Sequence, residues 1–235
     1  MKFASCGLVG ALFSGLTFVS SAPESNHASD SWERLYEKDG LVISQLEIPG
    51  EDLPRYRARG VLPVDMYSML AVLNDFSRHR EWMRFMSESR VISRDNDFRL
   101  WMYVRFDAPW PVWDRDAVLK LDIQRDPQTE EVWMTFSETY HPAHPKGEDV
   151  IRLPRFDVRM NLRPVDEKNT FIDYLQDIRP GGDLPNWVVR WLSRRVPVET
   201  IDRLRLQIEK TKGEYDQFQQ KFNPRHKMEK HNEAP

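Results

Sequence analysis

Apolar and polar residues alternate along most of the chain between residues 41 and 178. A period of two is typical of β-strands, because successive side chains of a strand point to opposite faces. The strands predicted in this way are 41–48, 55–62, 98–106, 115–123, 131–138, 155–162 and 170–178. The polar segment 163–169 joins the last two strands and fits a hairpin connection. Sequential strands with short links predict an antiparallel sheet.

Three short segments favour helices instead. Residues 63–73 begin with Pro63 and Asp65 and then repeat apolar residues at three- and four-residue steps. A second short helix is predicted over 75–83. A third is predicted over 31–37, with Ser31 as its N-cap.

The last predicted element is one long amphipathic helix. It begins near Pro185, is kinked at Pro197 because proline lacks an amide donor, and carries its apolar stripe to Phe222. A curved sheet packed on a single long helix leaves space between the two layers. The sequence therefore predicts an α+β domain with an internal cavity, and such cavities are common ligand sites.

The N-terminus predicts an export signal over residues 1–22. Lys2 precedes an apolar run of small and aliphatic residues, and Ser20 and Ala22 fit a signal-peptidase site. The alternatives are an uncleaved anchor and a chance apolar start. Cleavage would remove Cys6, the only cysteine, so the mature chain would have no disulfide. We expect a periplasmic protein in a Gram-negative source and a secreted one otherwise. Residues 23–30 are predicted to be a linker.

Composition and motifs narrow the function classes. The chain has 235 residues and a formal net charge of −3, which indicates one sizeable domain without the basic footprint of a nucleic-acid-binding protein. It has no phosphate-binding loop, no dinucleotide fingerprint and no nucleophile elbow. His141 and His144 lack a third ligand at a zinc-site spacing. We therefore expect no cofactor, no metal and no catalytic residue.

Four segments resemble a START domain, the steroidogenic acute regulatory protein-related lipid-transfer family. They are VLNDFSRHREWM (72–83), APWPVWDRDAVLK (108–120), PGGDLPNWVVRW (180–191) and VPVETIDRLR (196–205). The resemblance covers residues 31–222 and leaves 223–235 as a charged tail. Trp113 departs from the family pattern, since many members carry a smaller residue at that turn.

The resemblance implies a helix-grip fold of the START/Bet v 1-like type with a hydrophobic tunnel. It also implies that the tunnel holds one lipid, either sterol-like or acyl, and that the protein carries or senses this lipid as a monomer without covalent chemistry. The C-terminal helix and a nearby loop would be the gate. Two other hypotheses remain open: a helix-grip enzyme of the cyclase or hydrolase type that acts on a hydrophobic substrate, and a protein-binding adaptor with a filled cavity.

The predicted gate combines a glycine hinge with an aromatic helix face. Gly181 and Gly182 give the backbone freedom to open a lid. The adjoining residues predicted to contact the lipid are Trp187, Val188, Trp191 and Leu192. Interleaved arginines, Arg190, Arg194 and Arg195, could meet anionic lipid headgroups during a transient membrane contact.

Further candidates for lipid contact lie on the strands, but the sequence does not decide which strand face lines the cavity. Strand 98–106 has Trp101, Tyr103 and Arg105 on one face and Leu100, Met102 and Val104 on the other. The remaining candidates are Trp133, Met134, Arg159, Asp173, Tyr174 and Gln176. Arg159, Tyr174 and Gln176 could be cross-strand neighbours, and Asp173 could be a rim residue or an internal polar anchor. His79 is expected to be exposed between two arginines.

Overall fold

A computed structural model describes residues 32–51, 53–182 and 199–224. Its strands are β1 (Glu33–Lys38), β2 (Leu41–Leu46), β3 (Arg55–Leu62), β4 (Met86–Asn96), β5 (Arg99–Phe106), β6 (Arg115–Arg125), β7 (Val132–Glu138), β8 (Ile151–Arg152), β9 (Arg155–Pro164) and β10 (Thr170–Arg179). The helices are α1 (Met66–Asn74), a 3₁₀ turn (Phe76–Arg78), α2 (His79–Trp82), α3 (residues 199–210) and α4 (Asp216–Phe222).

All ten strands belong to one sheet, in the order β1-β2-β3-β10-β9-β7-β6-β5-β4, with β8 beside β6. Every pairing is antiparallel except the short β6–β8 pair. The pairing of β3 with β10 joins the first three strands to the C-terminal hairpin. The predicted α+β class and the seven predicted strands are confirmed.

One prediction of local structure is wrong at the start of the sheet, and one strand at its far edge was not predicted. Residues 31–37 were predicted to be helical, but Glu33–Lys38 pairs with β2, because a tertiary ladder overrides weak local preference. The strand β4 was not predicted from the sequence. Its register against β5 shifts at three places, which breaks the period of two that reveals a strand.

The helices cover one face of the sheet and form the core with it. Leu100, Met102 and Leu121 of the sheet are at most 1% exposed, and so are Met66 and Met69 of α1. These residues belong to a single hydrophobic cluster. Asp65 caps α1, since its carboxylate accepts a hydrogen bond from the Ser68 amide at 2.7 Å.

The C-terminal helix does not continue unbroken to Phe222 as predicted. Residues 199–210 are helical, a turn occupies 211–215, and α4 follows. Gly213 adopts a φ of 83°, a left-handed conformation that ends a helix and favours glycine. The predicted start near Pro185 and the kink at Pro197 lie outside the described residues.

Ion pairs attach α3 to several other parts of the fold. Lys38 of β1 bonds Asp202 at 2.6 Å, and Lys210 bonds Glu81 of α2 at 2.9 Å. Arg84 pairs with Glu199 at the first described turn of α3. On the buried side of α3, Leu204 and Ile208 join the core. The helix is therefore held at one side of the sheet by apolar packing inside and by charges at its edges.

His79 is buried, and the expectation that it is exposed is wrong. It is 3% exposed, and its Nε2–H donates to the Leu73 carbonyl at 2.9 Å. The rings of Phe76 and Trp82 pack edge-on against it at centroid distances of 5.3 and 5.4 Å. Burial lowers the pKa of His79 to about 4, although the backbone hydrogen bond and the charge of Asp75 oppose this shift.

We expect the buried His79 to make the fold sensitive to acid. Its pKa lies below the ordinary value of 6.5, so between these values the unfolded chain binds a proton that the folded chain does not. Stability from this group is present above about pH 6.5 and is lost as the pH falls toward 4. The loss is on the order of 3 kcal/mol at 1.36 kcal/mol per pKa unit. Urea unfolding at a series of pH values measures it.

The matched control is His79→Gln, which keeps an amide donor for the Leu73 carbonyl and does not titrate. The variant should lose the part of the acid sensitivity that falls between pH 4 and 6.5. Identical pH profiles for the two proteins would contradict this role of His79.

Candidate functional site

A cavity of about 210 Å³ lies where β3, β5, β6, β9 and β10 end near the turn 107–114. Its lining is mostly apolar. The residues that line it are Leu53, Pro54, Tyr56, Arg84, Phe85, Phe106, Asp107, Ala108, Pro109, Val112, Arg115, Leu153, Phe156, Gln176, Ile178 and Pro180. A concave, mostly apolar space with a few polar groups is the usual form of a site for a hydrophobic ligand.

Strand alternation decides which side chains reach the cavity. On β10, Gln176 and Ile178 point inward, and the register places Tyr56 opposite Gln176 and Phe156 opposite Ile178. The intervening Asp177 points outward and pairs with Arg55 at 2.9 Å and with Arg155 at 3.1 Å. The same pleat therefore supplies an apolar inner wall and an ionic outer surface.

Gln176 is a polar group within this apolar wall. Its Oε1 accepts a hydrogen bond from the Tyr174 hydroxyl at 2.8 Å. Burial raises the pKa of Tyr174, because the phenolate would be poorly solvated there, and the hydroxyl stays a donor. The amide nitrogen of Gln176 donates to no protein acceptor in the described part of the chain. It can therefore donate to a ligand.

Arg115 is the second polar group of the inner wall, and it is 6% exposed. Its guanidinium donates to three backbone carbonyls. Nη1 donates to Trp113, Nε donates to Pro180 at 3.5 Å, and Nη2 donates to Gly181 at 3.3 Å. Arg115 thus joins the turn before β6 to the loop after β10.

The turn 107–114 forms one rim of the cavity and exposes two tryptophans. Asp114 shapes this turn, because its carboxylate accepts from the Ala108 amide at 3.0 Å and from Arg105 Nη2 at 2.8 Å. Ala108, Pro109 and Val112 face the cavity, whereas Trp110 and Trp113 are 90% and 59% exposed. Two indoles exposed on one turn form a candidate surface for contact with an apolar partner.

Arg84 and Phe85 form the part of the rim that lies next to α3. The Arg84 guanidinium pairs with Glu199 and lies 4.7 Å from the centroid of the Phe85 ring. Phe85 adopts a φ of 63°, which is uncommon for a bulky residue. Its carbonyl accepts from the Asp107 amide at 2.7 Å, so this segment and the turn 107–114 are linked.

The predicted hinge glycines lie beside the cavity, close to the side chains of Pro154 and Ile151. Gly181 and Gly182 have φ values of 63° and 66°. A Cβ at Gly181 would come within 2.9 Å of Pro154 Cδ, and one at Gly182 within 2.9 Å of Ile151 Cδ1. Positive φ favours glycine at both positions, and the rigid ring of Pro154 adds a close contact at Gly181. A hinge motion of these residues stays a prediction.

The structure places most of the predicted strand candidates away from the cavity. Trp101, Tyr103 and Arg105 lie on the outer face of β5, since Leu100, Met102 and Val104 occupy the core face. Tyr103 stacks on His144 at a centroid distance of 4.9 Å, and Arg105 pairs with Asp114. The sequence did not decide which face of β5 points inward. The structure shows that the continuous apolar face packs in the core.

The candidates on β7, β9 and β10 divide in the same way. Trp133 is 38% exposed, whereas Met134 is 2% exposed in the core. Arg159 pairs with Asp157 on the outer face, and Asp173 pairs there with Arg57 at 2.5 Å, so neither is an internal anchor.

Only Gln176 of the strand candidates lines the cavity, with Tyr174 bonded to it. The proposed cross-strand group is wrong, because Tyr174 lies opposite Met160 and Arg159 opposite Leu175. The candidates Trp187, Val188, Trp191, Leu192, Arg190, Arg194 and Arg195 lie outside the described residues.

Sequence reasoning missed Tyr56, Phe156, Ile178 and Arg115. Ile178 has the same strand parity as Gln176, so the alternation of β10 alone could have identified it. Arg115 was quoted only as part of a turn motif. Nothing in the sequence could show that β3, β6 and β10 end at one place, because their pairing is long-range.

Residues 32–51, 53–182 and 199–224 contain neither a metal-binding cluster nor a membrane-spanning helix. No group of three or more His, Cys, Asp or Glu side chains in these segments could hold a metal ion. None of the helices in them has the length and hydropathy to cross a bilayer.

Comparison with known proteins identifies the fold and the family. A family model of the START domain matches residues 22–212. An uncharacterized protein of Pseudomonas aeruginosa is 24% identical over 79% of this chain and 90% of its own length. The phosphatidylcholine transfer protein of Rattus norvegicus is 24% identical over 69% of this chain and 77% of its own.

A solved structure has the same architecture. The STAR-related lipid transfer protein of Xanthomonas axonopodis (fragment 25-204) aligns with a TM-score of 0.67 at 23% identity, covering 77% of this chain and 99% of that one. The fold is therefore a helix-grip α+β fold. The chain belongs to the START domain family.

We expect Gly181→Ala to destabilise the protein more than Gly50→Ala. Gly50 also has a positive φ, 81°, but its Cβ would meet nothing within 4 Å, so it is a control for backbone strain alone. At Gly181 the same strain of roughly 1–2 kcal/mol is joined by overlap with Pro154, which costs roughly another 1–3 kcal/mol. Urea unfolding of the two variants measures the difference. Equal losses would show that the loop moves away from Pro154 without cost.

Proposed function

We propose that this protein binds one hydrophobic lipid in the cavity and carries it between membranes. The observation that carries the proposal is the apolar cavity whose rim exposes two tryptophans. Burial of apolar ligand surface supplies the affinity, at roughly 25 cal/mol per Å² before the costs of association.

The family supports this proposal. The rat relative is named a phosphatidylcholine transfer protein, and the Xanthomonas structure is named a lipid transfer protein. At 24% and 23% identity these proteins support the class of function without fixing the ligand. We propose non-catalytic binding of an acyl or sterol-like lipid by a monomer.

Membrane contact is the second part of the proposal. Trp110 and Trp113 lie on the same turn as cavity residues Ala108, Pro109 and Val112. Tryptophan favours the membrane–water interface, because its ring is apolar and its N–H is polar. When these indoles enter a bilayer surface, the cavity rim contacts the membrane. A lipid ligand can then pass between the membrane and the cavity. We also propose the membrane contact that the sequence predicts for Arg190, Arg194 and Arg195, which lie outside the described residues.

We propose export as the setting for this activity, with residues 1–22 as the signal. The family model begins its match at residue 22, next to the proposed cleavage site. Determining the N-terminal residue of the protein isolated from its source would test this assignment.

Filling the cavity should abolish lipid retention. Ile178→Trp places a large ring into the cavity, and Leu175→Trp places the same ring on the opposite face of the same strand as a control. Residues 23–235 of each protein, purified gently from cells rich in membrane, are compared by native mass spectrometry. We expect a discrete lipid mass that extracts into organic solvent for the unmodified and Leu175→Trp proteins, and its loss in Ile178→Trp.

Other outcomes would redirect the assignment. An apo mass for the unmodified protein that persists after incubation with mixed lipids would favour a filled-core adaptor. A bound lipid-derived species that changes chemically with time would favour a helix-grip enzyme. Equal retention by all three proteins would place the ligand outside this cavity.

Removal of the rim tryptophans should slow transfer while leaving binding intact. In Trp110→Ala/Trp113→Ala, the rate of lipid transfer between vesicles should fall about tenfold or more, since each indole contributes apolar area to the membrane contact. Trp133→Ala is the matched control, because Trp133 is 38% exposed on the outer face of the sheet. Vesicle co-sedimentation and transfer rates are the measurements. Equal rates for both variants would show that the turn does not touch the membrane.

A further inference from the structure

Arg115 carries a charge that no carboxylate pairs with in the described part of the chain. It is the one arginine there whose exposure falls as low as 6%. Nearby arginines have carboxylate partners: Arg84 has Glu199, Arg105 has Asp114 at 2.8 Å, and Arg152 has Asp116 at 2.6 Å. A buried charge without a counter-ion is costly, so this wall favours a ligand that brings negative charge.

Some N–H groups of the Arg115 guanidinium donate to no acceptor among the described residues. It has five N–H donors, and three of them reach the carbonyls of Trp113, Pro180 and Gly181. One N–H remains on each Nη nitrogen. Two donors on one planar fork can bind both oxygens of a carboxylate or phosphate.

The nearest acid in sequence, Asp114, is already engaged. Its carboxylate accepts from Arg105 and from the Ala108 amide. Burial lowers the pKa of Arg115, and the charge of Asp114 only partly opposes this. An arginine nevertheless stays protonated at neutral pH, so the charge persists.

Gln176 adds a second donor to the same cavity. Its Oε1 is occupied by the Tyr174 hydroxyl, which leaves its NH₂ group for a ligand. Asp107, the one carboxylate that lines the cavity in the described chain, is exposed at the rim. The inner wall therefore has hydrogen-bond donors and a positive charge. A ligand that carries an anionic hydrogen-bond acceptor would match it.

We propose that the lipid bound by this protein is acidic, and that Arg115 binds its carboxylate or phosphate with Gln176 as an additional donor. This inference rests on the proposed function and specifies its ligand class. A cavity of about 210 Å³ is smaller than the ~300–1,000 Å³ typical of ligand pockets. The simplest ligand of this class is an amphiphile with a single apolar chain and an anionic end.

Three ligands share one alkyl chain and differ in their headgroup: hexadecanoate, hexadecanol and hexadecyl phosphate. Comparing them separates the effect of charge on affinity from the effect of hydrophobicity. Their affinities for delipidated protein, residues 23–235, are measured by competition at about pH 8, above the pKa of a carboxylic acid. We expect both anions to bind about tenfold or more tightly than the alcohol, as a charge-assisted hydrogen bond predicts. The stronger of the two anions identifies the headgroup as carboxylate or phosphate.

Arg115→Met should bring the acid-to-alcohol affinity ratio close to one, by weakening hexadecanoate and leaving hexadecanol unchanged. Arg159→Met is the matched control. It removes the same charge from a side chain that is 64% exposed on the outer face, and its ratio should not change.

Each other outcome has a distinct meaning. Equal affinity of the unmodified protein for acid and alcohol overturns the inference and leaves lipid binding intact. Binding of none of the three ligands overturns the proposed function as well. Equal weakening of acid and alcohol in Arg115→Met shows that Arg115 only holds the two loops together. If Arg115→Met does not fold, Arg115→Lys decides: a reduced ratio supports the bidentate contact, and an unchanged ratio overturns it.

Discussion

The pairing of β3 with β10 is the constraint on which the rest of the structure depends. It joins strands more than a hundred residues apart in sequence, and it fixes the register that sets Tyr56 opposite Gln176. Through β9 the same ladder sets Phe156 opposite Ile178. A slip of one residue would turn every inward side chain outward, which would exchange the apolar cavity wall for the arginines and aspartates of the outer face.

Many charged residues lie near the apolar cavity because their side chains are on the outer face of the sheet. Arg55, Arg57 and Arg155 all pair with the aspartates of β10, Asp173 and Asp177, on the face opposite the cavity. These pairs satisfy charges on that face, including the carboxylate of Asp177, which is only 4% exposed. Arg115 differs, since it is buried and, among the described residues, bonds only to backbone carbonyls. That contrast, more than the number of arginines, singles out one position for ligand charge.

Local patterns predicted elements well wherever one face of an element is buried. The alternation of β5 and the helical spacing of α1 both follow from a core face and a solvent face, and both were predicted. The failures have local physical causes. β4 is an edge strand with three register shifts, β1 is held by its ladder to β2, and Gly213 ends α3. His79 was predicted to be exposed because it lies between two arginines in sequence. In the structure it lies in the short helix α2 and is buried against Phe76 and Trp82.

By itself the sequence determined the α+β class, most of the strands, the family resemblance and one cavity residue, Gln176. These depend on periodicity and short motifs, which are local properties of a chain. Only the tertiary structure decided which strand face lines the cavity, that Trp101, Tyr103, Arg105, Arg159 and Asp173 lie outside it, and that Arg115 lies in its wall. The physical reason is that a cavity is formed by residues from strands far apart in sequence, and their meeting is set by long-range pairing and by competition for the core.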